Sequence, residues 1–168
     1  MVTARYINPE IHPALTDEDK KKCIDVRIKV FVDEQKYPLE TETDDEYDPI
    51  SAHWLATCQI ADTNERVPVG TIRLVPVKND KQVGKLGRLA VLSDARGLSL
   101  GKKLTLTMLE DAKVQGIKSI VLDAQIDKRG FYEKIGFAVE DADKEPYLVD
   151  GTPHCKMWMR SIPKEKLI

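Results

Sequence analysis

Residues 86–115 read LGRLAVLSDARGLSLGKKLTLTMLEDAKVQ, and the fold turns on how that stretch is parsed. Leu86, Leu89, Ala90, Val91 and Leu92 form an apolar run ended by the turn-forming Ser93-Asp94-Ala95, the pattern of a buried strand over 86–92. Leu100, Leu104, Met108 and Ala112 then recur at four-residue spacing with Leu109 beside them, while Lys102, Lys103, Glu110, Asp111 and Lys113 fill the rest of the wheel. That is an amphipathic helix of about four turns, stopped by Gly116 at C′. Between strand and helix lies Arg96-Gly97-Leu98-Ser99-Leu100-Gly101-Lys102. A glycine-containing loop that opens a helix turns unpaired N–H groups toward one point, where the helix dipole also favours an anion. Arg96, Lys102 and Lys103 add positive charge, so phosphate or pyrophosphate is the ligand such a loop suits. A tight strand–helix turn with no ligand accounts for the two glycines equally well.

Spacing excludes two phosphate motifs. A P-loop needs Gly-x4-Gly-Lys-Ser/Thr, but three residues separate Gly97 from Gly101 and Lys103 follows Lys102. The dinucleotide pattern Gly-x-Gly-x-x-Gly is absent. Arg96-x-x-Ser99-x-Gly101 instead resembles the Arg/Gln-x-x-Gly-x-Gly/Ala loop of the GNAT superfamily of acyl-CoA-dependent N-acyltransferases. Leu89-Ala90-Val91 before it and Phe131-Tyr132-Glu133-Lys134-Ile135-Gly136-Phe137 after it match that family too. The order and spacing of the three make the resemblance specific. Ser99 departs from it, standing where the family usually has its first glycine; the backbone N–H remains, while Cβ narrows the approach.

The resemblance spans about residues 16–160. It implies a mixed α/β fold: a twisted, mostly antiparallel sheet with a central splayed parallel strand pair, flanked by helices. It also implies acetyl-CoA as cosubstrate, with no metal. By the same resemblance Leu89, Ala90 and Val91 pair with the pantetheine arm, and Arg96, Gly97, Leu98, Ser99, Leu100, Gly101 and Lys102 cradle the pyrophosphate. Val91 N–H is the implied donor to the thioester carbonyl. Tyr132 matches the family tyrosine that protonates the departing thiolate; the alternative is a half-buried helix tyrosine.

Composition bounds the function. The chain of 168 residues, 42% apolar and 32% charged, suits one domain over 1–168. A net charge of −2 argues against a general nucleic-acid binder and against electrostatic adsorption to anionic membranes. Cys23, Cys58 and Cys155 lack metal-ligand spacing and form an odd set, so they read as reduced thiols in a cytoplasmic protein, a nuclear one being left open. The N-terminal residues turn polar too soon for a signal peptide, and no apolar run approaches the ~20 residues that span a bilayer. A homodimer is left open.

Along the chain, Ala4-Arg5-Tyr6-Ile7 reads as an edge strand stopped by Asn8-Pro9. Thr16 is an N-cap with Asp19 at the capping-box position, and Cys23, Val26, Val30 and Phe31 predict a helix over 17–33. Residues 34–50 carry seven acids and two prolines and read as loop. Strands are expected over 53–61 and 67–77, joined by Asp62-Thr63-Asn64-Glu65; Asn79 to Gln82 links onward. Strand 119–124 then lies parallel to strand 86–92. A helix over 127–135 anchored by Phe131 and Ile135 and capped by Gly136, a strand from Phe137 to Glu140 and a last strand from His154 to Ser161 complete the order (β)αβββαβαββ.

The acidic segment allows two readings, a solvated surface loop or an acidic mouth that attracts a cationic amine. Val30-Phe31-Val32-Asp33-Glu34-Gln35, followed by Pro38, Glu40, Glu42 and Asp45, is similar to a GNAT subgroup of small acetyltransferases of the ElaA and YjcF types, where this segment lies near the acceptor side. Glu34 and Asp45 are therefore candidate acceptor-binding residues. Arg73 and Arg88, on adjacent strands, either line a common cleft or pair with surface acids. The base is open among Glu34, Asp45, Asp48, His53 and His154. The activity implied is transfer of an acetyl group to a primary amine of a small molecule. A non-catalytic acyl-CoA-binding module, a protein or peptide acetyltransferase and a glucosamine-6-phosphate-type enzyme, with Arg73 and Arg88 as its phosphate site, are the alternatives.

Overall fold

The computed structural model describes residues 5–168. Its centre is a seven-stranded sheet of order β1-β2-β3-β4-β5-β7-β6, with β1 Tyr6–Pro13, β2 Ala52–Ile60, β3 Arg66–Val77, β4 Asp80–Val91, β5 Ser119–Gln125, β6 Tyr147–Val149 and β7 Thr152–Met159. Only β4 and β5 run parallel; every other neighbouring pair is antiparallel. The helices are α1 Asp17–Arg27, the one-turn α2 Glu40–Thr43, α3 Leu100–Val114 and α4 Arg129–Ile135.

The apolar periodicity of α3 does what the sequence leads one to expect. Leu100, Leu104, Met108, Leu109 and Ala112 are all fully buried against the sheet with Trp54, Ile72, Leu86, Leu122 and Met157. Gly116 follows the helix at φ 85°, a left-handed turn that costs glycine nothing. On the other face Cys23, Val26 and Val30 bury against Leu55 and Ala90. Thr16 caps α1 by accepting from Asp19 N. All three cysteines are free and buried.

Several boundaries differ from expectation. The α-helix ends at Arg27 and continues as a π-helical turn over Ile28–Glu34, which tilts Glu34 away from the α-helical path. The first strand passes through Asn8-Pro9, which sit in a bulge between Ile7 and Glu10; an edge strand tolerates the missing proline N–H there. Ala4 lies outside the described residues. The link at 79–82 is absorbed into β4, which starts at Asp80 and turns tightly from β3. Of the strand expected from Phe137 to Glu140 only the bridge Ala138–Trp158 forms; the chain then turns, and the short β6 covers β7 instead. In α4 the buried aromatic is Tyr132, whereas Phe131 and Ile135 are only partly covered.

One irregularity shapes the middle of the sheet. The β3–β4 register shifts between Thr71 and Arg73, placing an extra residue in β4 near Arg88, whose φ is 51°. Leu86 and Ala90 are four apart, so a regular strand would send both to one face. Instead Leu86 packs with α3 and Ala90 packs with α1. The bulge has turned the last part of β4 over.

Candidate active site

The parallel pair is zipped only partway. Val83 to Leu86 lie opposite Ser119 to Leu122, and there the pairing ends. Past that point β4 carries the bulge, while β5 runs on paired along its other edge with β7 as far as Gln125–His154. Backbone groups of β4 are thereby left facing a gap. Leu92 N donates to Val69 O, and ladder alternation turns Val91 N–H and C=O away from β3. Arg96 Nε donates to that carbonyl at 3.1 Å.

A cavity of about 150 Å³ fills the gap. Leu89, Gln125, Tyr132 and His154 are among its walls, with Glu42 and Arg88 on the acidic-segment side. Tyr37 OH donates to Thr152 Oγ1 at 2.6 Å and Gln125 Nε2 to Gln35 Oε1 at 2.8 Å, so the segment after α1 is strapped over the chamber. Tyr132 is 8% exposed, its ring packed edge-on against Phe131 and Phe137. Its hydroxyl has no hydrogen-bond partner among the described residues, and burial pushes its pKa well above the usual phenol value.

At the mouth, Ser93–Leu98 forms a short 3-10 turn and α3 opens at Leu100. Ser99 joins them in the left-handed conformation, φ 57° and ψ 29°. That is why glycine is the natural residue there: a Cβ in this region costs about 1–2 kcal/mol. The N–H groups of Leu100, Gly101 and Lys102 open the helix without intrahelical acceptors. A Cβ on Gly101 would meet only the ring edge of Phe131, at 3.4 Å. Arg96 extends away from the loop, its guanidinium gripping Glu34 at 2.5 and 2.7 Å. Hydrogen bonds from Arg96 hold the Glu34 carboxyl below its ordinary range.

The remaining expected residues meet elsewhere. Arg27 Nε donates to Glu42 at 2.8 Å, and its two terminal nitrogens donate to Asp48 at 2.9 and 2.8 Å. Arg73 contacts Asp48 at 2.8 Å and Asp45 at 2.9 Å. Arg88 contacts Asp45 at 2.9 Å and Glu42 at 3.2 Å. The six groups close a ring of alternating charge, Arg27–Glu42–Arg88–Asp45–Arg73–Asp48, beneath the acidic segment. Burial opposes the charged forms of Asp45 and Asp48, but hydrogen bonds from Arg73 and Tyr47 N to the one and from Arg27 and Arg73 to the other win, and both carboxyls are held below the usual range. For Arg27 the two carboxylates likewise outweigh burial and raise its pKa. Nothing in the sequence marks Arg27, because its helix looks solvated and its partners lie 15 and 21 residues on. His53, also buried, donates Nε2–H to Asp48 O at 3.1 Å; burial lowers its pKa. It borders a second cavity, beside Trp54 and Val114, remote from the gap.

A sheet opened between two parallel strands, with a helix N-terminus at the mouth and a buried phenol inside, is the framework of an N-acyltransferase. The chain belongs to the acetyltransferase (GNAT) family, whose model matches residues 23–137. It is 31% identical over 144 residues to the uncharacterized N-acetyltransferase YjcF of Bacillus subtilis, covering 86% of this chain and 94% of that protein. It is 33% identical over 146 residues to the UPF0039 protein C11D3.02c of Schizosaccharomyces pombe, covering 83% and 88%. Among solved structures it resembles Escherichia coli ElaA with a TM-score of 0.72 and 26% identity, over 90% of this chain and 99% of that one.

Proposed function

We propose that this protein transfers the acetyl group of acetyl-CoA to a primary amine of a small molecule, by direct attack of the amine on the thioester. One observation carries the reading: β4–β5 pairing ends at Leu86–Leu122, and the space beyond it holds the unpaired Tyr132 hydroxyl. An extended pantetheine arm needs backbone partners, and Leu89 to Val91 supply them on the exposed edge of β4. The diphosphate needs N–H donors and positive charge, which the start of α3 offers through the N–H groups of Leu100, Gly101 and Lys102 and the exposed Lys102 side chain, whereas Arg96 is spent on Glu34. Val91 N–H suits a carbonyl oxygen that gains negative charge in the transition state. Tyr132 is protonated throughout the working range and stands ready to donate to the leaving sulfur. Its raised pKa makes it a dependable hydrogen-bond donor but a weak acid, so proton transfer follows the build-up of charge on sulfur.

The acceptor reading is a plain amine. An amino-sugar phosphate needs free cations, and both Arg73 and Arg88 are each committed to two carboxylates. Ser99 keeps the left-handed backbone that a glycine would take, which favours a working cradle over a degenerate one. The proposal takes the chain as one domain working in the cytoplasm. Among the described residues no helix is long and apolar enough to cross a membrane.

Calorimetric titration with acetyl-CoA tests the site. Gly101→Asp sets an internal carboxylate at the positive end of α3, where it competes with the diphosphate while leaving the helix dipole satisfied. Affinity should fall at least tenfold. Unchanged affinity in a folded Gly101→Asp protein would put the cosubstrate elsewhere.

A further inference from the structure

Five residues were candidates for the base that frees the amine, and the fold separates them. Glu34 is clamped by Arg96 at the mouth. Asp45 and Asp48 lie in the charge ring, and His53 borders the remote cavity. None of these four lines the chamber; His154 does. Three further carboxylates line the chamber; Asp150 is exposed to solvent at the β6–β7 turn, and the other two are occupied. Glu42 serves Arg27 and Arg88, with its second oxygen accepting from Thr41 Oγ1, and Asp123 accepts from Lys85 Nζ at 2.7 Å and from the Tyr147 hydroxyl.

The tautomer of His154 is fixed by its own hairpin. Nδ1 lies 2.7 Å from Thr152 O, and a carbonyl can only accept, so Nδ1 carries the hydrogen. Nε2 then holds a lone pair. It has no hydrogen-bond partner among the described residues, yet it is absent from the buried atoms that lack one, so it meets open space. The residue as a whole is 8% exposed, opposite Gln125 on β5 and Tyr147 on β6.

We infer that His154 is the general base of the reaction, its bare Nε2 taking the proton of the acceptor ammonium inside the β4–β5 chamber. The inference rests on the acetyl-transfer reading above. Nε2 takes one proton from the ammonium and passes it to solvent. The freed nitrogen bonds to the thioester carbonyl carbon as the carbon–sulfur bond breaks. The sulfur receives its proton from the Tyr132 hydroxyl, which is restored by the second proton of the nitrogen. The charged and titratable groups sharing the chamber with His154 are Tyr37, Glu42, Arg88, Asp123, Lys128, Tyr132 and Asp150.

Two measurements test this. The first needs no acceptor. Long-range ¹H–¹⁵N spectra of the imidazoles, assigned with His154→Asn, should show His154 as the Nδ1–H tautomer, with Nε2 gaining its proton as pH falls. An Nε2–H tautomer, or an Nε2 that never titrates in the folded protein, overturns the proposal. The second is thiol release from acetyl-CoA with ethanolamine, spermidine and glucosamine 6-phosphate as probe amines. His154→Asn keeps a donor where Nδ1 stood and removes Nε2, so the hairpin bond survives. Its kcat/KM for the amine should fall about 10²–10⁴-fold, the acid limb of the wild-type profile should vanish, and acetyl-CoA affinity should hold. A rate within threefold of wild type, with the acid limb intact, refutes the role while leaving acetyl transfer standing. If wild type binds no acetyl-CoA, it is the underlying reading that fails, and the spectra alone decide whether His154 presents a bare base.

Discussion

Replacing Arg27 by Met tests whether the charge ring is a structural keystone. Arg27 is fully buried and joins Glu42, 2% exposed, to Asp48 through three charge-assisted hydrogen bonds. Methionine keeps much of the volume and removes the charge, leaving a ring with two cations and three anions. Removing one partner of a buried ion pair typically costs about 3–5 kcal/mol, because the other charge stays buried without compensation. For 168 residues at about 2.1 cal/mol/K each, unfolding entropy near Tm is about 0.35 kcal/mol/K. Arg27→Met should therefore lower Tm by about 9–14 °C in calorimetry at pH 7. Adding Glu42→Gln restores charge balance, so the double variant should be more stable than the sum of the singles by about 1–3 kcal/mol. The ring also sets an acid limit. Asp45 and Asp48 have depressed folded pKa values, so their contribution is complete above the unfolded value of about 3.9 and is lost as pH falls through the lower folded ones. Wild type should lose more stability than Arg27→Met below about pH 4. A single-variant cost under about 1 kcal/mol, the surface-pair level, or strict additivity in the double variant, would refute the ring as a coupled unit.

Tyr132→Phe removes one hydroxyl that makes no hydrogen bond among the described residues and keeps the ring packing, so stability and acetyl-CoA affinity should be unchanged while kcat drops about 10²-fold or more; full kcat under rate-limiting chemistry would hand the proton to water. Ser99→Gly relieves a left-handed residue at about 1–2 kcal/mol and adds back about 0.5–1 kcal/mol of backbone entropy, so thermal unfolding should shift upward by no more than a few degrees and acetyl-CoA affinity should hold or tighten slightly. A tenfold loss of affinity on calorimetry would mean that the serine hydroxyl is itself a ligand.

What could be read from the chain and what could not divide along a physical line. The α3 helix was legible because five apolar side chains at helical spacing have one way to be buried, and Thr16 and Gly116 mark ends by local backbone chemistry alone. The β4–β5 crossover followed from strand, helix, strand. The bulge at Arg88 was not legible. Leu86-Gly87-Arg88-Leu89-Ala90-Val91 looks like continuous strand, and only the opposite burial of Leu86 and Ala90 reveals the extra residue. Nor was the roofing hairpin, since three-residue β6 is too short to show a period.

The acidic segment shows why charge runs mislead. Seven acids in a row of loop residues suggest a negative mouth, yet pairing redistributes them. Glu42, Asp45 and Asp48 are neutralised by three arginines drawn from α1, β3 and β4. Glu34 answers Arg96. Only Glu40, Asp44 and Glu46 stay outside these pairs, and all three face solvent, where salt screens them. The segment's main physical contribution is thus a clamp. It is bolted to the sheet through charge, then held over the chamber by Tyr37 on Thr152 and Gln35 on Gln125. An amine entering that chamber meets a nearly balanced wall, with Glu42 and Arg88 already cancelling each other. Net charge therefore gives that wall little selectivity, and what the segment contributes to the chamber is shape.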